Sequence, residues 1–183
     1  MTGPNAPDLK AAPGPLDGRD FRAALGCFAT GVTVITACSA TGQRVGLTVN
    51  SFSSVSLDPP LVLWNLSIHA PSLPVFRQAG HFAVNVLSAD QRDIAEHFSR
   101  RADDKFTGAD ISVRDGLDGA PLLDSVAAVF ECRNAERYYG GDHIIFLGEV
   151  EGYEVSEKAP LIFSRGEYGV FQPARCDDES AGA

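Results

Sequence analysis

The chain has 183 residues, 44% of them hydrophobic and 21% charged, which is one ordinary domain able to bury a core. Fifteen Lys and Arg against 24 Asp and Glu leave a formal charge of −9, so the long-range attraction to phosphate backbones is absent and no nucleic-acid partner is expected. No apolar run approaches the roughly 20 residues of a membrane span, so no membrane partner is expected, and residues 1–19 have no apolar stretch and do not read as a secretory signal.

Residues 1–19 carry Pro4, Pro7, Pro13 and Pro15 and are expected to form a flexible arm. Asp20 is placed to cap a short helix through Phe28, with Phe21, Leu25 and Phe28 on one stripe; Gly31 breaks it. Residues 32–37 (VTVITA) are β-branched and read as a strand. Residues 39–44, with Gly42, read as a hairpin turn. Residues 45–55 continue as one strand, with Val45, Leu47 and Val49 on one face and Thr48, Asn50, Phe52 and Ser54 on the other. Pro59 and Pro60 lead into an apolar strand, 61–66.

Ser72 is placed to cap a helix that carries Leu73 and Phe76 and stops at Gly80, with Pro74 tolerated in its first turn. A strand follows over 82–87. Ser88 and Gln91 form a capping box that opens a helix with Ile94 and Phe98. Residues 100–124 are charged and Gly-rich and read as mainly loop. Residues 126–139 and 142–155 read as two long strands, and 161–171 as a last strand or turn. Residues 173–183 are small and acidic, an expected tail. Six or seven strands arriving as neighbours, with two or three short helices, predict a mainly β, antiparallel barrel with peripheral helices rather than a doubly wound sheet. The expected organisation is an arm at 1–19, one domain at 20–172 and a tail at 173–183.

Cys27, Cys38, Cys132 and Cys176 show no CxxC spacing, and no zinc-ligand cluster exists. They read as reduced thiols of a cytoplasmic protein. GxGxxG after a strand, GxxxxGK[ST], HExxH and GxSxG are all absent, which leaves Rossmann, P-loop, zinc-protease and α/β-hydrolase chemistry without an anchor. His69, His81, His97 and His143 are scattered and point to no triad.

Four constellations remain. The stretch 46–56 (GLTVNSFSSVS) is rich in hydroxyls and amides; it suits a flat polar heterocycle and a phosphate, or is a solvent-facing strand edge. Ser72 at a helix start suits a phosphate, or is a plain cap. Lys105 and Phe106, after Arg100 and Arg101, could hold a phosphate and cover a ring, or belong to a solvated loop. Gly140, Gly141, Asp142 and His143 permit close approach of another molecule, or make a hairpin turn with incidental polar residues.

In order, these segments resemble the flavin reductase-like family of FMN-binding split barrels, the small reductase components of two-component flavin monooxygenases. The resemblance spans about residues 20–171. It rests on 28–34 (FATGVTV), 48–56 (TVNSFSSVS) with Pro59 and Pro60, 72–76 (SLPVF), 82–87 (FAVNVL), Lys105 with Phe106, and Gly141, Asp142 and His143 with 148–150 (GEV). It implies an antiparallel split β-barrel, a homodimer, FMN or FAD bound near the subunit interface, NAD(P)H as co-substrate and a flavin-dependent monooxygenase as partner. It implies that Thr48, Val49, Asn50 and Ser51 contact the flavin ring and that Ser54, Ser72 and Lys105 hold the phosphate. Phe106 packs nearby, Thr33 lines the pocket and His143 meets the nicotinamide. The implied reaction moves a hydride from nicotinamide to flavin and needs no side-chain nucleophile, general acid, general base or metal. The alternative of the same fold is an FMN-binding electron carrier without turnover.

Overall fold

A computed structural model describes residues 17–102, 104–107 and 111–173; the expected arm over 1–16 and tail over 174–183 lie outside these. The strands are β1 (Thr30–Gly31), β2 (Thr33–Cys38), β3 (Arg44–Val49), β4 (Ser53–Leu57), β5 (Pro60–Ser67), β6 (His81–Val86), β7 (Val113–Asp115), β8 (Pro121–Leu123), β9 (Ala128–Gly140), β10 (His143–Val155), β11 (Leu161–Ser164) and β12 (Glu167–Val170). The helices are α1 (Gly18–Leu25), α2 (Leu73–Gln78) and α3 (Arg92–Ser99). The principal sheet is antiparallel, in the order β3-β2-β6-β9-β10-β5-β4.

That order places β3 and β4, neighbours in the chain, at opposite edges of one sheet. Laid flat, the outer two of seven strands would stand about 29 Å apart. The step from Val49 to Ser53 reaches at most about 14 Å. The sheet therefore rolls until its edges approach, which is the split barrel expected from the resemblance. Ser51 bridges the opening: its Oγ accepts from the Asn65 N–H of β5 at 3.0 Å. The expected continuous strand 45–55 is thus two strands, because β3 pairs with β2 and β4 pairs with β5.

Trp64, Phe76, Phe82 and Phe146 fill the inside of the roll. Trp64 stacks on Phe146 with centroids 4.6 Å apart and meets Phe76 edge-on at 4.9 Å. Gly148 makes room for this cluster, since a Cβ there would overlap the Phe82 ring and lie 2.9 Å from the Cβ of Cys132. Burial pushes the Cys132 thiol up to about 12, which leaves it unreactive. Cys27, Cys38 and Cys132 are free thiols, and Cys176 lies outside the described residues.

A second cluster packs α3 and β8 on the outer face of the sheet, through Val34, Ala83, Phe98, Leu122 and Leu123. The stretch expected to be mainly loop, 100–124, contains the β7–β8 hairpin. Buried side chains from other strands hold it: Asn85 Oδ1 accepts from Leu123 N at 2.8 Å, and Thr36 Oγ1 donates to Pro121 O at 2.5 Å. The Ser88–Gln91 box is half realised. Gln91 Oε1 accepts from Ser88 N, but the Ser88 hydroxyl donates to Asp90 and the Ser125 carbonyl. Helix α1 is capped by Asp17, whose carboxylate accepts from Arg19 N and Asp20 N, and it buries no residue. The stripe Phe21, Leu25 and Phe28 is exposed. The expected last strand is the hairpin β11–β12, turning at Arg165 and Gly166.

Candidate functional site

Strand β3 is an edge strand, so one row of its backbone N–H and C=O groups is not spent in the sheet. Beside it opens a cleft of about 790 Å³, walled by β3, the end of β5, the start of α2 and the C-terminal end of α3. Thr48, Ser72, Lys105 and Phe106 all line it. The fold therefore unites four of the residues singled out in sequence, from segments up to 58 positions apart.

Each is held in a definite way. Thr48 Oγ1 donates to the Ala95 carbonyl of α3 at 2.7 Å. Ser72 makes no side-chain capping bond, so its hydroxyl is uncommitted. Lys105 Nζ donates to the Gly46 carbonyl at 3.0 Å and to the Phe98 carbonyl at 2.8 Å. Two of its three N–H donors are used, and one remains. Burial lowers the Lys105 pKa from its ordinary value. His97 Nε2 donates to the Lys105 carbonyl at 2.8 Å, and Phe106 meets Phe98 edge-on at 5.2 Å. Gly46 belongs to the same wall: a Cβ there would lie 2.6 Å from Phe98 Cε1 and 3.2 Å from Phe106 Cζ.

The remaining residues have other places. Thr33 is buried, and its Oγ1 donates to the Val49 carbonyl at 3.1 Å, fixing the end of β3. Val49 is half-buried and packs on the inner core. Ser51 is the bridge to Asn65. Ser54 is exposed on β4, opposite Val62 and beside a register shift, outside the lining of the cleft. His143 is exposed at the start of β10, opposite Ser67 of β5, which does line the cleft. Its Nδ1 is 2.7 Å from Asp142 Oδ1, and this hydrogen bond lowers the Asp142 pKa. The Asp142 carbonyl accepts from Ile68 N at 3.0 Å, which seats the turn on the end of β5.

The electrostatic character of the cleft emerges only in three dimensions. Arg44, Arg100, Arg101 and Lys105 line it, and no carboxylate does among the described residues. Arg44 pairs with Asp115 at 2.5 Å and Arg100 lies 3.9 Å from Glu96, so Arg101 and Lys105 are the cations of the cleft without a carboxylate partner among the described residues, in a chain of formal charge −9. Arg44 and His69 carried no signal in sequence, since each reaches the cleft from a separate element.

Asn50 lines a second cleft of about 890 Å³, between α1 and the β11–β12 turn, with Arg19, Arg22, Phe28, Phe163 and Arg165. Thr48 and Asn50 are two residues apart, so one segment borders both clefts. No group of three or more His, Cys, Asp or Glu among the described residues is arranged to hold a metal. No helix among them is long and apolar enough to cross a membrane.

The flavin reductase like domain matches over residues 25–172. The chain is 46% identical over 159 residues to the FMN reductase (NADH) SmoA of Agrobacterium fabrum, covering 87% of this chain and 89% of that protein. It is 40% identical over 157 residues to the reductase component of the flavin-dependent trigonelline monooxygenase of Acinetobacter baylyi, covering 86% of this chain and 49% of that protein. Among solved structures, the NADH:FAD oxidoreductase SgcE6 of Streptomyces globisporus superposes with a TM-score of 0.80 at 37% identity, over 88% of this chain and 99% of that one.

Proposed function

The chain belongs to the flavin reductase-like family, and from that premise we propose that it is an NAD(P)H:flavin oxidoreductase supplying reduced flavin to a partner monooxygenase. The observation that carries the reading is the cleft in which Thr48, Ser72, Lys105 and Phe106 meet beside an edge strand, lined by no carboxylate among the described residues. These residues fit a phosphorylated heterocycle. The third Lys105 N–H and the free Ser72 hydroxyl would hold the phosphate. The backbone and side chains of 48–51 would hold the polar edge of the ring, and Phe106 would flank it. Thr33 acts through Val49 and is a positioning residue. His143, at the margin and oriented by Asp142, would meet the nicotinamide.

Flavin held by residues 48–51, Ser72 and Lys105 would supply the acceptor for the hydride that reduced nicotinamide gives up. The protein's part is to hold the two rings at about 3–3.5 Å and to present backbone N–H groups where negative charge develops. No side chain need take or give a proton in that step.

A homodimer and a cytoplasmic location complete the proposal. The dimer is supported by large apolar side chains left in water, with Phe28 78%, Leu57 93% and Val155 77% exposed. The location is supported by three free thiols. The test is oxidation of NADH and NADPH by purified protein with FMN, FAD or no added flavin, followed in air by loss of reduced-nicotinamide absorbance. Turnover that saturates with flavin is expected. Flavin binding with no turnover would reassign the protein as a carrier, and neither binding nor turnover would remove the flavin reading altogether.

A further inference from the structure

Residues 104–107 bring Lys105 and Phe106 to the first cleft without belonging to a helix or a strand. Among the described residues, no backbone-to-backbone hydrogen bond ties them to a neighbouring element. Their turn is closed locally, because the Asp104 carboxylate accepts from Phe106 N at 2.8 Å and Thr107 N at 3.1 Å. These two bonds shape the turn but do not place it in the fold.

Placement comes from α3. His97, in its last turn, donates from Nε2 to the Lys105 carbonyl at 2.8 Å. A carbonyl oxygen only accepts, so the His97 ring carries a proton on Nε2. The ring is partly buried and meets Phe98 edge-on with centroids 5.3 Å apart. Phe98 holds the other end of the same lysine: its carbonyl accepts from Lys105 Nζ at 2.8 Å. Its ring also meets that of Phe106 edge-on at 5.2 Å. Consecutive residues of α3 thus grip Lys105 at both ends, His97 by the main chain and Phe98 by the ammonium. The Gly46 carbonyl takes a second ammonium proton at 3.0 Å. The three N–H bonds of an ammonium are tetrahedrally disposed, so two fixed bonds fix the direction of the third. A lysine stem is otherwise flexible, and a base held before binding leaves less to be ordered when a ligand arrives.

We propose that His97 is a positioning residue for the phosphate of the flavin: it acts through the Lys105 main chain and sets where the third ammonium N–H points. The inference rests on the reading of Lys105 as a phosphate-binding residue. In sequence His97 is one of four scattered histidines, and only the fold shows which carbonyl it serves. Any side chain whose N–H reaches that carbonyl would do the same work. Glutamine places its Nε2 about as far from the main chain as histidine does, and it too can donate.

The test titrates the full chain with FMN and with riboflavin, which has the same ring and no phosphate, following flavin fluorescence. The ratio of the two dissociation constants reports the phosphate contact. In His97→Ala the FMN Kd should rise about fivefold or more while the riboflavin Kd changes less than about twofold. His97→Gln should return the FMN Kd to within about twofold of the parent. Lys105→Met should remove most of the preference for FMN. An unchanged FMN Kd in His97→Ala overturns the proposal. So does a rise by the same factor for both flavins, which would make His97 a merely structural residue, and so does a loss that His97→Gln fails to restore. Each of these leaves the Lys105 reading standing as long as Lys105→Met loses the preference. A Lys105→Met protein that keeps the preference, or a parent that binds FMN no better than riboflavin, overturns the phosphate assignment of Lys105 and the role of His97 with it.

Discussion

Lys105 is placed to serve both the fold and the ligand, and the substitution Lys105→Met separates the two. Its ammonium ties the Gly46 carbonyl of β3 to the Phe98 carbonyl in the last turn of α3. Hydrogen bonds from a charged donor contribute about 1.5–3 kcal/mol each, so the gross contribution of the pair is about 3–6 kcal/mol. Two effects oppose it. Burial of the ammonium has already lowered the Lys105 pKa, and Gly46 and Phe98 line the cleft, from which water can reach their carbonyls once the amine is gone. A net loss of about 2 kcal/mol remains, equivalent to a fall of about 4–8 °C in melting temperature for a domain of this size. Methionine keeps the packing of the stem, so little else should change. Thermal and urea unfolding of flavin-free protein gives the structural part, and a flavin titration gives the ligand part, expected to weaken at least tenfold. A variant that melts within about 1 °C of the parent while losing flavin affinity would refute the structural role. Full flavin affinity with a lowered melting temperature would refute the phosphate role.

Three further outcomes follow from the same geometry. Gly46→Ala forces a Cβ to within 2.6 Å of the buried Phe98 ring, so urea unfolding should show a loss of about 1–3 kcal/mol from overpacking; an unchanged midpoint would mean that Phe98 can yield. His143→Ala should raise the KM for NAD(P)H by a larger factor than the flavin Kd, and steady-state kinetics with an unchanged KM would remove that assignment. His81 lies between Asp118, 2.6 Å from Nδ1, and Glu151, 3.1 Å from Nε2. Burial lowers its pKa, but the hydrogen bonds and charges of the two carboxylates more than offset this and raise it above the ordinary value. The stabilisation is complete below a pH of about 6.5 and is lost as pH rises through the raised folded value. The stability difference between the parent and His81→Gln should therefore shrink from pH 6 to pH 9 or so, and a constant difference would contradict it.

Much of this was legible in the chain because it is local. The β-branched run of β2, the hydroxyl-rich segment 48–54 and the Ser72-Leu73-Pro74 helix start all announce themselves over a few residues. The parts that were not legible depend on distant partners. Residues 45–55 alternate as one strand, and only the pairing of β3 with β2 and of β4 with β5 shows that the chain changes sheet edges at Asn50. The β7–β8 hairpin has three-residue strands and begins β8 with Pro121; Asn85 and Thr36 hold it, and neither is near it in sequence. The stripe read in sequence lies on α1, yet Phe21 and Leu25 remain half-exposed or more, because periodicity reports an apolar face without saying what covers it. Arg100, Arg101 and Lys105 showed as cations of one loop in sequence, but that Arg44 joins them, and that Arg19, Arg22 and Arg165 share a second cleft, was hidden for the same reason, since charge along an acidic chain does not show which side chains meet.

The order of strands also governs how the chain can be assembled. Residues up to Val86 can form two separate pieces, a β3-β2-β6 sheet and a β4-β5 pair. No strand pairing joins them until β9 docks on β6 and β10 docks on β5. The β9–β10 hairpin, residues 128–155, acts as the late zipper of the barrel. A ribosome-bound chain ending before it presents open strand edges to the solvent. The natural remedy is speed: β9 and β10 are contiguous and pair with each other along their length, so they can enter as a preformed hairpin and close both gaps in one event.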